Sequence, residues 1–154
     1  MIASDLVYPV IVFDRSGYFS VSADEDTLTT ISAATLKKGG YTGCTIVDSE
    51  GRVVEVASTR FVSGIGPFWG YTLLLDRIIR VELTFGDSSS HPKLDELKLR
   101  VTRRMKIDGR SIAGQDAWRL EIEKISDARS VSEIANALLP QYDKRSFLRM
   151  LRRL

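Results

Sequence analysis

Hydrolytic chemistry needs a nucleophile, a base and an acid within reach of one another, and this chain offers few of them. His91 is the single histidine and Cys44 the single cysteine. Ser88, Ser89 and Ser90 precede His91, but triads are assembled in space, so adjacency in sequence says little. A histidine just before Pro92 reads as a solvent-facing residue at a helix start. Cys44 lies in the apolar run GCTIV. No basic neighbour depresses its pKa there, and it reads as a small buried hydrophobe. One histidine and one cysteine do not make a usual zinc site, and no cofactor is expected.

The stretch SGIGPFWGY, Ser63 to Tyr71, contains Gly64, Gly66 and Gly70. A dinucleotide fingerprint sets its glycines between a strand and a helix, so that pyrophosphate meets helix N–H groups. Strand pattern follows here, and the P-loop lysine is missing. The stretch therefore reads as a connection between strands, with glycines supplying positive φ. Phe68 and Trp69 then either pack over the sheet edge or stand out as partner anchors, a role in which Trp is over-represented.

Three groups of carboxylates close in sequence stand out. Asp24-Glu25-Asp26 and Asp95-Glu96 open helices, where the dipole favours them. Asp48 and Glu50 occupy a hairpin turn. Together Asp24, Glu25, Asp26, Asp48 and Glu50 could form a negative face for a basic protein partner, or a solvated surface.

The chain has 154 residues, 44% apolar and 27% charged, which suits one soluble domain, 1–154, with a core of its own. The formal net charge of +2 hides an asymmetry. Residues 1–100 are net acidic, whereas KRSFLRMLRRL at the end has five basic residues and no acid. This tail, within residues 143–154, reads as a solvated helix end, a nucleic-acid contact or an oligomer contact. It lacks aromatic stacking beyond Phe147 and accompanies no recognised nucleic-acid motif. Its apolar stripe points instead to docking on a protein surface, which leaves a homodimer open and makes nucleic acid the less favoured partner. MIASDLVYPVIVFDRS does not read as a signal peptide, and no apolar run is long enough for a bilayer. The expectation is a cytoplasmic protein without membrane contact.

The elements follow from periodicity. VYPVIVFDRSGYFSVS reads as two strands around Ser16-Gly17. ADEDTLTTISAATLKKGG reads as one helix, capped by Asp24 and stopped at Gly39. Cys44–Val47 and Arg52–Phe61 form a hairpin around Asp48–Gly51, with Val54, Val56 and Ser58 on one face. Ile79, Val81, Leu83 and Phe85 alternate along another strand. A helix then starts at Ser90 with Pro92 in its first turn, presenting Leu94, Leu97, Val101 and Met105. Ala117–Ile125 makes a second, with Trp118, Ile122 and Ile125 inward. A last helix opens on the capping box Ser130–Glu133 and ends at Pro140. Strands followed by helices give an α+β fold, a mainly antiparallel sheet of about five strands with helices on one face.

YPVIVFDRSGYFSV, YTGCTIVDSEGRVVEV, GPFWGYTLLLDRIIRVELTF and ISDARSVSEIANAL together resemble small bacterial immunity proteins of polymorphic toxin or contact-dependent growth-inhibition systems. The resemblance spans roughly residues 7–139 and rests on structural motifs: a strand, a D-S-x-G hairpin, a G-P-x-W-G turn and a capped last helix. It implies a non-catalytic protein that binds the C-terminal domain of a cognate toxin. Phe68, Trp69, Asp76 and Arg77 around the turn, with the acidic set above, are the implied contact residues. A nucleic-acid-binding or regulatory module using the basic tail, and a small ligand-binding protein or hydrolase, are the alternatives.

Overall fold

A computed structural model describes residues 2–65, 77–86, 91–109 and 115–142, with no side-chain placement for 109, 115–118 and 141. Among these residues, six strands form one antiparallel sheet in the order β2-β1-β4-β5-β6-β3. They are β1 (Val10–Phe13), β2 (Phe19–Ser22), β3 (Thr30–Ser32), β4 (Thr45–Val47), β5 (Val53–Gly64) and β6 (Ile78–Phe85). The helices are α1 (Glu25–Thr29), α2 (Ala33–Lys37), α3 (Leu94–Gly109), α4 (Gln115–Asp127) and α5 (Val131–Tyr142). The architecture is α+β, with one strand more than the expected five.

The extra strand comes from the segment that reads as one helix. Asp24 caps α1, its carboxylate accepting from the Thr27 amide at 2.8 Å. The helix then stops at Thr29, whose hydroxyl donates back to the Glu25 carbonyl at 2.8 Å. Thr30 and Ile31 are β-branched and lose χ1 freedom in a helix. They pair with Arg80 and Ile79 at the sheet edge instead. Ser32 caps a fresh helix through the Thr35 amide. Tertiary pairing thus outweighs a helical apolar spacing.

The sheet separates two cores. Ile11, Phe13, Phe19, Val21 and Val47 face Leu97, Val101 and Met105 of α3, Ile125 of α4, and Ile134 and Leu138 of α5. Val10, Val12, Ile46, Val54, Val56, Ile79, Val81 and Leu83 face the other way and meet Ala3, Leu6, Leu28 and Ile31. Each of these side chains except Ala3 contributes about 1.5–3 kcal/mol when fully buried. β1 is buried on both faces, whereas β6 alternates strictly, with Arg80, Glu82 and Thr84 exposed. Among the described residues, the three long helices therefore cover the β2-β1-β4 half of their face, and none covers the β5–β6 half.

β5 does not keep the expected alternation. The register against β6 shifts between Val56 and Ser58 and again between Phe61 and Ser63. Ala57, the extra residue of the first bulge, reverses the side-chain parity. Thr59, opposite Leu83, then takes the inward position that simple alternation gives to Ser58.

Two helix ends also differ from expectation. α3 starts at Leu94, two residues past Pro92, and Ser90 lies outside the described residues. α5 runs through Pro140 to Tyr142. A proline this close to the end costs one hydrogen bond, to the carbonyl four residues back. The Tyr142 ring, 4.4 Å from that of Phe19, holds the last turn in place. The Ser130–Glu133 cap forms: the Glu133 amide donates to Ser130 Oγ at 3.2 Å, and the Glu133 carboxylate accepts from the Arg129 amide at 2.6 Å.

Candidate functional site

The end of the β5–β6 ribbon exposes apolar surface where strands usually hide it. Phe61 is 45% and Val62 51% exposed. Phe61 lies opposite Val81, on the inward face, but beyond the reach of the covering elements; Val62 is the extra residue of the second bulge. Arg77, leading into β6, sets its guanidinium over the Phe61 ring, 5.3 Å from the centroid. Its backbone carbonyl accepts from the Ala33 amide at 2.7 Å, which ties this end of the ribbon to α2. On the bare face beside it, Arg60 pairs with Glu82 and Arg80 with Asp26. An aromatic, an aliphatic and a positioned guanidinium together are the chemistry of a protein-contact anchor.

The predicted contact residues divide around this end. Arg77 belongs to it. Phe68, Trp69 and Asp76 lie outside the described residues, as do Gly66 and Gly70. Gly64 ends β5, opposite Ile79, and is not among the glycines with positive φ. The described residues on either side of the stretch are the end of β5 and the approach to β6.

The acidic set is less of a face than its composition suggests. Asp24 is spent as a cap, accepting from both the amide and the hydroxyl of Thr27. Asp26 is paired with Arg80. Asp48 is fully buried. Its Oδ1 accepts from the amides of Glu50 and Arg52 at 3.0 and 2.9 Å, and its Oδ2 from Arg52 Nε at 2.7 Å. It organises the β4–β5 turn and offers no charge to a partner. Glu25 and Glu50 are exposed, with Glu50 3.8 Å from Arg52 Nε. Nothing in the sequence separated the buried aspartate from its exposed neighbours, because a D-S-x-G turn serves equally well with its carboxylate in water.

The remaining chemical candidates are occupied structurally. His91 is exposed, with Nδ1 3.0 Å from the Gly51 carbonyl oxygen, a bond that joins the β4–β5 turn to the approach to α3. Cys44 is buried, and burial pushes its thiol pKa up, with Asp14 adding to the rise and Arg15 opposing it. Such a thiol is a poor nucleophile. Among the described residues, no group of three or more histidine, cysteine, aspartate or glutamate side chains could hold a metal ion. Among them, too, no helix is long and apolar enough to cross a membrane. Phe61 and Val62 are the site residues that sequence reasoning missed. Their signal was present: two bulky apolar residues in succession on a ribbon whose neighbours alternate.

Comparison with protein-family models, with curated proteins and with solved structures finds no match.

Proposed function

We propose that the chain is an immunity protein that binds a cognate bacterial toxin domain in the cytoplasm and neutralises it by occlusion. The observation that carries this reading is the exposed Phe61–Val62 pair with Arg77 over the Phe61 ring, at a ribbon end that leads directly into Gly66-Pro67-Phe68-Trp69-Gly70. An interface of roughly 1,200–2,000 Å² needs a few desolvated anchors and a polar rim. Phe61, Val62 and Arg77 supply the anchors, while the Arg60–Glu82 and Arg80–Asp26 pairs supply the rim. Charges at such a rim select among partners more than they add affinity. The mechanism asks nothing of His91 or Cys44, both of which the fold already uses.

The test is co-expression with the toxin C-terminal domain encoded beside this gene. The expected result is a complex that co-purifies and rescue of cells expressing the toxin, with both lost in Phe61→Ala/Val62→Ser while the circular dichroism spectrum is unchanged. A folded wild-type protein that gives neither complex nor rescue overturns the proposal.

A further inference from the structure

The outward face of α3 carries closely spaced cations. Arg100, Arg103 and Lys106 are all exposed and follow one another at three-residue spacing. Cations three apart on a helix are neighbours and repel. Arg104, by contrast, is neutralised by Asp108 at 2.9 Å. Among the described residues, no carboxylate pairs with the other three; the only ion pair that α3 makes there is Arg104–Asp108. Nor are all three loose: Arg100 is laid over the Phe13 ring, 4.0 Å from its centroid. That contact holds the guanidinium against the ring while the side chain as a whole stays exposed.

The Tyr142 ring closes α5 against Phe19, and its phenol is near enough to Asp108 and Arg104 for their charges to act on it. Past Tyr142 the sequence carries Lys144, Arg145, Arg149, Arg152 and Arg153, which lie outside the described residues.

We infer that the C-terminal half of α3, with Arg100, Arg103 and Lys106 as contacts, is a docking surface for the phosphate backbone of double-stranded DNA. A run of cations without a carboxylate partner among the described residues, one of them preorganised, is what phosphates bind. A single strand is the weaker fit, because it needs exposed aromatic faces for base stacking; the Phe13 ring beneath Arg100 is buried, and the exposed Tyr18 ring has the Arg104 guanidinium over it, 5.0 Å from the centroid. A-form RNA offers a major groove too narrow for a helix, whereas that of B-DNA admits one. An anionic bilayer needs a continuous apolar strip. Leu99 and Ile107 are exposed here, but they stand about two turns apart with Arg103 between them. This surface is separate from the ribbon end, and its binding stands or falls independently of toxin recognition.

The experiment measures binding of a fluorescent duplex DNA to the full chain across a salt series. Each phosphate contact contributes a slope of about 0.9 in log K against log salt. From 50 to 200 mM salt the wild type should therefore lose about 40-fold more affinity than Arg100→Ala/Arg103→Ala/Lys106→Ala. Arg103→Ala/Lys106→Ala keeps the Arg100–Phe13 stack, so it guards against a folding defect, and it should remove about two-thirds of that slope difference. The inference is overturned by no duplex binding at low salt. It is overturned equally by an unchanged slope in both variants with loss on truncation after residue 142, which would assign binding to the tail alone. Stronger binding to the matching single strand or RNA duplex refutes the choice of DNA. Binding to phosphatidylglycerol vesicles that Leu99→Ser/Ile107→Ser abolishes would make the face a membrane contact instead.

Discussion

Replacing Asp48 tests whether the β4–β5 turn depends on a buried carboxylate. Four donors converge on it: the Glu50 and Arg52 amides on Oδ1, and Arg52 Nε and the Val7 amide on Oδ2, the last at 3.4 Å. Asp48→Ala strands two well-formed amide donors at about 1 kcal/mol or more each and removes a charge-assisted bond. The guanidinium loses less, because Arg52 is 36% exposed and recovers water. The sum is about 3 kcal/mol. For a chain of this length that lowers Tm by about 6–12 °C. Asp48→Asn keeps an acceptor at Oδ1 but turns an amide donor toward Arg52 Nε, at about 2 kcal/mol; Arg52→Ala, which leaves the backbone bonds in place, costs about 1 kcal/mol. Urea unfolding gives the order directly, as a shift in midpoint at constant m. If Asp48→Ala falls within about 1 kcal/mol of the wild type, the carboxylate is not the organiser of the turn and could serve as surface charge after all.

Other consequences are as direct. Gly40 has φ 59, and an added Cβ would stand 2.8 Å from Thr59 Cγ2, whereas Gly17 at φ 81 faces empty space; Gly17→Ala should cost about 1 kcal/mol and Gly40→Ala about 2–3 kcal/mol, and equal midpoints in urea would refute the Gly40–Thr59 contact. Burial raises the phenol pKa of Tyr8, Tyr41 and Tyr142 above the ordinary 10.0, with Glu25 adding to the rise at Tyr8. The folded state thus favours the neutral phenols, so this stability is complete below about pH 10 and lost as pH rises beyond it. Absorbance at 295 nm should show these three silent until alkaline unfolding; their ionisation near pH 10 with the far-ultraviolet spectrum intact would contradict their burial.

Periodicity found the helices that cover the sheet because nothing competes with it there. Leu97, Val101 and Met105 fall at spacings of four, and all three are buried. It failed at Leu28-Thr29-Thr30-Ile31, where helix spacing and β-branching disagree and only the distant partner strand β6 decides. It failed again at Ala57, since a bulge is a property of two strands and is not written in one. The ribbon end was half legible. Arg77 stood out as part of an unusual turn, but Phe61 was read as the plain end of a strand. Its exposure depends on how far the covering elements extend, which is a fact of tertiary structure. Asp48 was the converse, a residue whose type suggested surface and whose four donors came from three separate positions in the chain.

The two cores on either side of one sheet imply unequal local stability. β1 is locked between them, so its amides should exchange with solvent only when the whole domain unfolds. The far end of the ribbon, from Thr59 to Gly64 and its partners Ile79 to Leu83, borders a single core and, among the described residues, has one bare face. It can open while the rest stays closed, and its amides should exchange sooner than those of Val10–Phe13. A partner that closes over Phe61 and Val62 would therefore draw on the least cooperative part of the molecule, and its binding would appear first as slowed exchange there rather than as a higher global melting point.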